Sequence, residues 1–158
     1  MQKIAPYLWF NGQAEQAATH YVSLLPDSRI TRVDRYGEGA PFPAGTAMVV
    51  NFQLAGQAFM ALNGGPEFEF SEAVSFLISC ESQEEVDRLW DALTADGGAP
   101  GPCGWLKDKF GLSWQIIPTA LGELMGDPDP EKAGRVMQAM LQMQKIDIAA
   151  LRRAYTGE

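Results

Sequence analysis

Histidine is nearly absent from this 158-residue chain. There is one, His20, so no multi-histidine metal site is possible within a single copy. Cysteine is almost as scarce. Cys80 and Cys103 are far apart and lack metal-ligand spacing. The opening stretch MQKIAPYLWFNG has no signal-peptide hydrophobic region, so the expectation is reduced thiols and a cytoplasmic chain. Positive charge is in deficit, with 12 Lys and Arg against 20 Asp and Glu, a net charge of −8. That argues against nucleic acid and against an anionic membrane as partners. No run approaches the roughly 18 apolar residues of a membrane span.

What the chain has is 46% hydrophobic residues at a length that favours one domain with a sizeable core. KIAPYLWF reads as a buried strand over residues 3–10. After the Asn11-Gly12 turn, Ala14, Ala17, Ala18, Tyr21, Val22 and Leu25 recur at helical spacing until Pro26. SRITRVDRY reads as an edge strand, and GEGAPFPAG as a loop. AMVVNFQL places Met48, Val50, Phe52 and Leu54 on one face and Asn51 and Gln53 on the other. Ala55-Gly56-Gln57 reads as a turn into AFMALN, a strand that stops at Asn63-Gly64-Gly65-Pro66. AVSFLISC is a further strand. Val74, Phe76, Ile78 and Cys80 alternate there with Ser75, Leu77 and Ser79. Ser82 and Glu85 form a capping box before a helix carrying Val86, Leu89, Trp90 and Leu93. A short strand near Trp105 and a last strand, LSWQIIP, follow.

The order strand, helix, three strands thus occurs twice, over about 1–65 and 73–120, and suggests two βαβββ modules sharing one sheet. The faces bearing Asn51, Gln53, Ser75, Ser79, Ser113 and Gln115 either meet solvent or line a cup. Residues 121–158 differ. Asp129 and Pro130 start one helix, with Ala133, Val136, Met137, Met140 and Leu141 as its stripe. Asp147 caps a second helix, with Ile148 and Leu151.

The segments LWFNGQAEQAATHYVSLLPDSRI, QAFMALNGGPEF, SFLISCESQEEVDRLWDAL, GPCGWLKDKFGLSWQIIP and MLQMQKIDIAALRRAY resemble the PhnB-like branch of the vicinal oxygen chelate superfamily. That superfamily includes glyoxalase I, bleomycin-resistance proteins and extradiol dioxygenases. This branch also carries a demethylubiquinone methyltransferase-like domain name. The resemblance implies an α+β fold of paired βαβββ modules in one domain over 1–120, with a C-terminal helical extension over 121–158. It further implies a homodimer and a cup-shaped cavity in the curved sheets.

Metal-dependent members carry ligands on the first and last strand of each module, near Ala5, Ala61, Ser75 and Gln115 here. Those positions offer no histidine or carboxylate, so the expectation is no metal and no cofactor. The glycines at 37, 39 and 45 precede a strand, so a nucleotide-type loop and helix is absent.

Candidate cavity residues are Tyr7, Trp9, Asn51, Gln53, Phe59, Asn63, Ser75, Ser79, Trp105, Ser113 and Gln115. The aromatics would form a stacking wall, and the polar groups would fix a ligand's orientation. Phe59, Ala61 and Asn63 are expected to face the cup. Arg35 and Tyr36 are candidates for an anion clamp at a rim. Lys107, Asp108 and Lys109 read as a solvated turn. The expected function is binding of a small, partly apolar molecule of unknown identity. The alternative is an enzyme that uses the same cup as a lyase, isomerase, dioxygenase or transferase.

Overall fold

The turn between the third and fourth strands decides which residues face which way. Ala55 and Gly56 both have positive φ, 47° and 82°, and join the strands through a two-residue hairpin that pairs Leu54 with Gln57. In the computed structural model, which describes residues 2–158, this hairpin belongs to the first of two compact units. One unit ends at Phe70 and the other runs from Ser71 to Glu158.

The first unit contains β1 (Tyr7–Phe10), α1 (Ala14–Val22), β2 (Arg29–Arg35), β3 (Ala47–Leu54) and β4 (Gln57–Asn63). The strands form one sheet in the order β1-β4-β3-β2, with β1 parallel to β4 and the other pairs antiparallel. β1 is shorter than the expected run over 3–10. Pro6 has no N–H to donate to a ladder, and Ile4 is exposed. Directly opposed residues share a face, so Phe59 lies beside Phe52 and Ala61 beside Val50. All four are buried with Ala14, Ala17, Ala18 and Tyr21 of α1. The Phe52 ring stacks on Phe59 at 5.5 Å and lies 6.5 Å from Tyr21.

This overturns the expected facing of Phe59, Ala61 and Asn63. Counting Gln57 as part of the turn shifts the strand by one residue, and a one-residue slip exchanges the two faces. Met60 and Leu62, opposite Asn51 and Val49, are the β4 residues on the far side from α1.

The second unit repeats the plan with β5 (Ser75–Cys80), α2 (Gln83–Thr94), β6 (Ala99–Pro100), β7 (Trp105–Lys107) and β8 (Ser113–Pro118). Its order is β5-β8-β7-β6, with β5 parallel to β8. There are therefore two four-stranded sheets rather than one shared sheet. Ser82 caps α2 by accepting from the Glu85 amide at 3.2 Å, while the Glu85 carboxylate accepts from the Glu81 amide at 2.9 Å. Phe76, Ile78, Cys80, Leu106, Trp114 and Ile116 fall on one face of the sheet by register. Val86, Leu89, Trp90 and Leu93 supply the buried stripe of α2. Val74 precedes β5 and is exposed, so it does not join the packed face.

Three helices complete this unit: α3 (Thr119–Met125), α4 (Pro130–Met140) and α5 (Ile148–Thr156). The helices after residue 120 thus lie in the unit that holds the second sheet. α3 has no counterpart in the sequence reading, because Pro118 marks a strand end there. It also stands at the N-terminal boundary of a helix, where a residue without a donor is tolerated. Asp129 and Asp147 cap α4 and α5 by accepting from the amides of Glu131 (2.9 Å) and Ala150 (3.1 Å). Leu121, Val136, Ile146 and Leu151 form the buried cluster, joined by Ile117, Met140 and Met143. Met137 and Leu141 of the expected stripe remain exposed.

Candidate functional site

Each sheet has a face turned away from its helix, and most of the polar candidates lie there. In the first unit Tyr7 and Trp9 share that face with Met60 and Leu62, because parallel partners point the same way. Trp9 is held from three sides. Its indole N–H donates to the Gly65 carbonyl at 3.0 Å, and Phe68 meets its ring edge-on at 4.9 Å. A side chain at Gly64 would come within 2.4 Å of the ring, so only glycine allows the chain to pass so closely. The Asn63-Gly64-Gly65 stop is therefore the seat of Trp9. Gln53 also lies on this face, but its amide nitrogen donates to Asp27 Oδ1 at 3.1 Å and to the Asp27 carbonyl at 3.2 Å.

Asn63 does other work. It is buried, its Oδ1 accepts from the Ala14 amide at 3.0 Å, and its Nδ2 donates to the Ala47 carbonyl at 2.9 Å. Its own carbonyl accepts from the Tyr36 hydroxyl at 2.6 Å. The side chain thus serves the first turn of α1, and neither Asn63 nor Phe59 lines an open face. Arg35, considered as an anion clamp, is engaged by both carboxylate oxygens of Glu15, at 3.0 and 2.9 Å. The Arg35 guanidinium holds the Glu15 carboxyl below the usual carboxylate range.

In the second unit Ser75, Ser79, Trp105, Ser113 and Gln115 all fall on the face away from Trp114 and Ile116. Gln115 Nε2 donates to Ser75 Oγ at 3.0 Å. Beside them lies a pocket of about 460 Å³, within the usual range of small-molecule sites. The β6–β7 hairpin builds most of it, with Pro100, Pro102 and Trp105 as apolar walls and Ser113 on its floor. Lys107 at its edge forms an ion pair with Glu72, whose carboxyl is lowered by the lysine's hydrogen bond. The pocket therefore carries a balanced pair of charges and a mostly apolar wall.

Two features escaped sequence reasoning. The hairpin prolines read only as loop residues. Asp108, read as part of a solvated turn, is 3% exposed. It accepts from the amides of Phe110 (2.8 Å) and Leu112 (3.1 Å) and from the Trp114 indole N–H (2.8 Å). The D-x-x-G spacing to Gly111, closed by the Gly111 amide on the Asp108 carbonyl at 2.9 Å, is the signal that marks it as a turn-forming acid.

The residues do not fit a bound metal. Ala61 is buried on the α1 side, Gln115 donates to Ser75, and no three His, Cys, Asp or Glu cluster among the described residues. Ser75 and Gln115 would in any case be weak, uncharged ligands.

Two βαβββ units, each with first and last strands adjacent and parallel and a face free of its helix, define an α+β protein of paired βαβββ modules. Residues 2–117 match the 3-demethylubiquinone-9 3-methyltransferase family. The chain belongs to that family. A putative 3-demethylubiquinone-9 3-methyltransferase, PhnB protein, from Bacillus cereus is 36% identical. It has a TM-score of 0.68, with 74% of this chain and 99% of that one covered. A protein from Pseudomonas aeruginosa is 25% identical with a TM-score of 0.61, over 75% of this chain and 98% of that one. No curated protein matches the chain.

The methyl donor that the family name implies finds no nucleotide-type cradle in these residues. The glycine-rich stretch around Gly37 and Gly39 runs into β3, not a helix. The Ala14 amide at the start of α1 is bonded by Asn63.

Proposed function

We propose that the chain binds a small, flat, predominantly apolar and electrically neutral molecule on the helix-free face of the second sheet, without a metal. The observation that carries this reading is the pocket over Trp105. Pro100, Pro102 and the indole offer apolar surfaces to a ring, and the buried Ser113 adds one polar residue to the lining. Charge argues against an anionic ligand. Lys107 is paired with Glu72, and a chain of net charge −8 repels anions. A hydroxylated bicyclic such as 2-naphthol fits this description. Its titration into the protein, followed by NMR of the backbone and indole N–H groups, tests the reading. Binding should move the Trp105 indole signal, and unchanged signals at millimolar probe would overturn it.

The family name favours a second reading, methyl transfer to a hydroxyl of a demethylated quinol. Incubation with S-adenosylmethionine and such a quinol, with detection of the methylated product, decides it. We place the protein in the cytoplasm, supported by two free cysteines, which suit a reducing compartment. No described helix is long and apolar enough to cross a membrane. A homodimer is supported by the exposed Met137 and Leu141 of α4, and a light-scattering mass of one chain would contradict it.

A further inference from the structure

The family match ends at residue 117, where the C-terminal helices begin. The Bacillus cereus relative is 99% covered by 74% of this chain, so almost nothing in it is left to match the rest. That additional chain makes a specific contact with the pocket wall. The hairpin connection that carries Pro102 toward Trp105 is joined to the C-terminal segment by two backbone bonds. The Cys103 amide donates to the Met143 carbonyl and the Gly104 amide to the Gln144 carbonyl, each at 2.8 Å. Gly104 has φ +86°, and a Cβ there would lie 2.7 Å from Ile117 Cδ1 and 3.2 Å from Ile146 Cγ1. The hairpin and the strap over 143–146 are thus in direct contact through a glycine.

The strap is fixed in turn by α2. Gln83 Nε2 donates to the Ile146 carbonyl at 3.0 Å, and Gln83 Oε1 accepts from the Ile148 amide at 2.8 Å. Lys145 adds an ion pair to Asp87 at 3.0 Å, and Ile146 is fully buried. A continuous run of bonds therefore leads from Gln83 through 146–148 and 143–144 to Cys103 and Gly104, and so to the wall formed by Pro102 and Trp105.

We propose that this C-terminal strap sets the shape and affinity of the pocket, with Gln83 as a positioning residue that does not touch the ligand. β7 is held by its ladder to β8, but β6 pairs only with β7 and through two residues, so the Pro100–Pro102 side of the wall has little ladder of its own. Tethering to the strap limits the conformations of the wall before a ligand arrives, which removes ordering cost from binding. The inference rests on the functional reading above for its ligand, and its structural half stands on exchange alone.

The test compares wild type, Gln83→Ala and Arg135→Ala. Arg135 donates to the Ala154 and Tyr155 carbonyls at the end of α5, away from the hairpin, so its loss weakens the extension without releasing the strap. Gln83→Ala should speed amide exchange at Cys103 and Gly104 and weaken 2-naphthol binding about fivefold. Arg135→Ala should lower the melting temperature while leaving both readouts within about twofold, below the usual coupling range. Unchanged exchange in Gln83→Ala, faster exchange with unchanged affinity, or equal effects of both substitutions would each overturn the proposal. If 2-naphthol fails to bind wild type, the functional reading falls, and exchange at Cys103 and Gly104 still decides whether Gln83 holds the wall. Should Gln83→Ala not fold, Ile146→Val, which removes one methyl from the same strap, is read in the same way.

Discussion

Gln115 Nε2 donates to Ser75 Oγ at 3.0 Å across the parallel β5–β8 pair. The sequence resemblance puts both near positions that hold ligands in metal-dependent vicinal oxygen chelate proteins. Here they form a neutral, hydrogen-bonded pair. The measurable outcome is that equilibrium dialysis against zinc or manganese leaves no metal bound in stoichiometric amount. One tightly held ion per chain, lost on Gln115→Leu, would contradict the arrangement.

Trp105 and Lys107 should separate in their effects. Trp105→Ala removes a ring face and should weaken 2-naphthol by about 1 kcal/mol, roughly fivefold. Lys107→Met should change the affinity for this neutral probe by about twofold or less, as expected for an exposed ion pair. A collapse of binding in Lys107→Met alone would assign the site to an anion.

Asn63→Ala tests the corrected facing of β4. It strands the buried Ala14 amide and Ala47 carbonyl and should cost about 2 kcal/mol in urea unfolding. Affinity for the probe should be unaltered. Lost binding with retained stability would return Asn63 to the cavity.

Asp108→Ala removes the acceptor of three N–H groups and should destabilise by roughly 3 kcal/mol. A change below about 0.5 kcal/mol, the usual surface range, would mean that the turn is as solvated as its charges suggest.

Burial pushes the Cys80 thiol up to about 12, helped by the nearby Glu85 carboxylate. At pH 8 a thiol reagent should modify Cys103 quickly and Cys80 only on unfolding. The linkage has a definite sign. The folded state keeps a proton that the unfolded thiol releases near 9, so stability from this group falls as pH rises from about 9 to about 12. Fast labelling of both cysteines in the folded protein would contradict its burial.

Much of this architecture was legible in the sequence because local chemistry agrees with it. Ser82 with Glu85, Asp129 with Pro130, and Asp147 each mark a helix start through a side-chain oxygen that meets an amide. The facing of β4 was misread for a local reason as well. Ala55-Gly56 alone forms the turn, and assigning Gln57 to it inverts every residue through Asn63. Placing the wall of the pocket needed tertiary information. Pro100 and Pro102 become a binding surface only when the hairpin folds beside Glu72 and Ser113. Neither spacing nor composition links them to residues 143–146. Asp108 illustrates the remaining gap, since a charge between two lysines reads as exposed until its three donors converge.

The most direct test of the central claim is the titration of 2-naphthol into 15N-labelled protein. The account predicts saturable shifts of the Trp105 indole N–H and of amides in residues 72, 99, 101, 103–107, 113 and 115, with smaller changes at 143–146. Shifts confined to other parts of the chain, or none at millimolar probe, would contradict it.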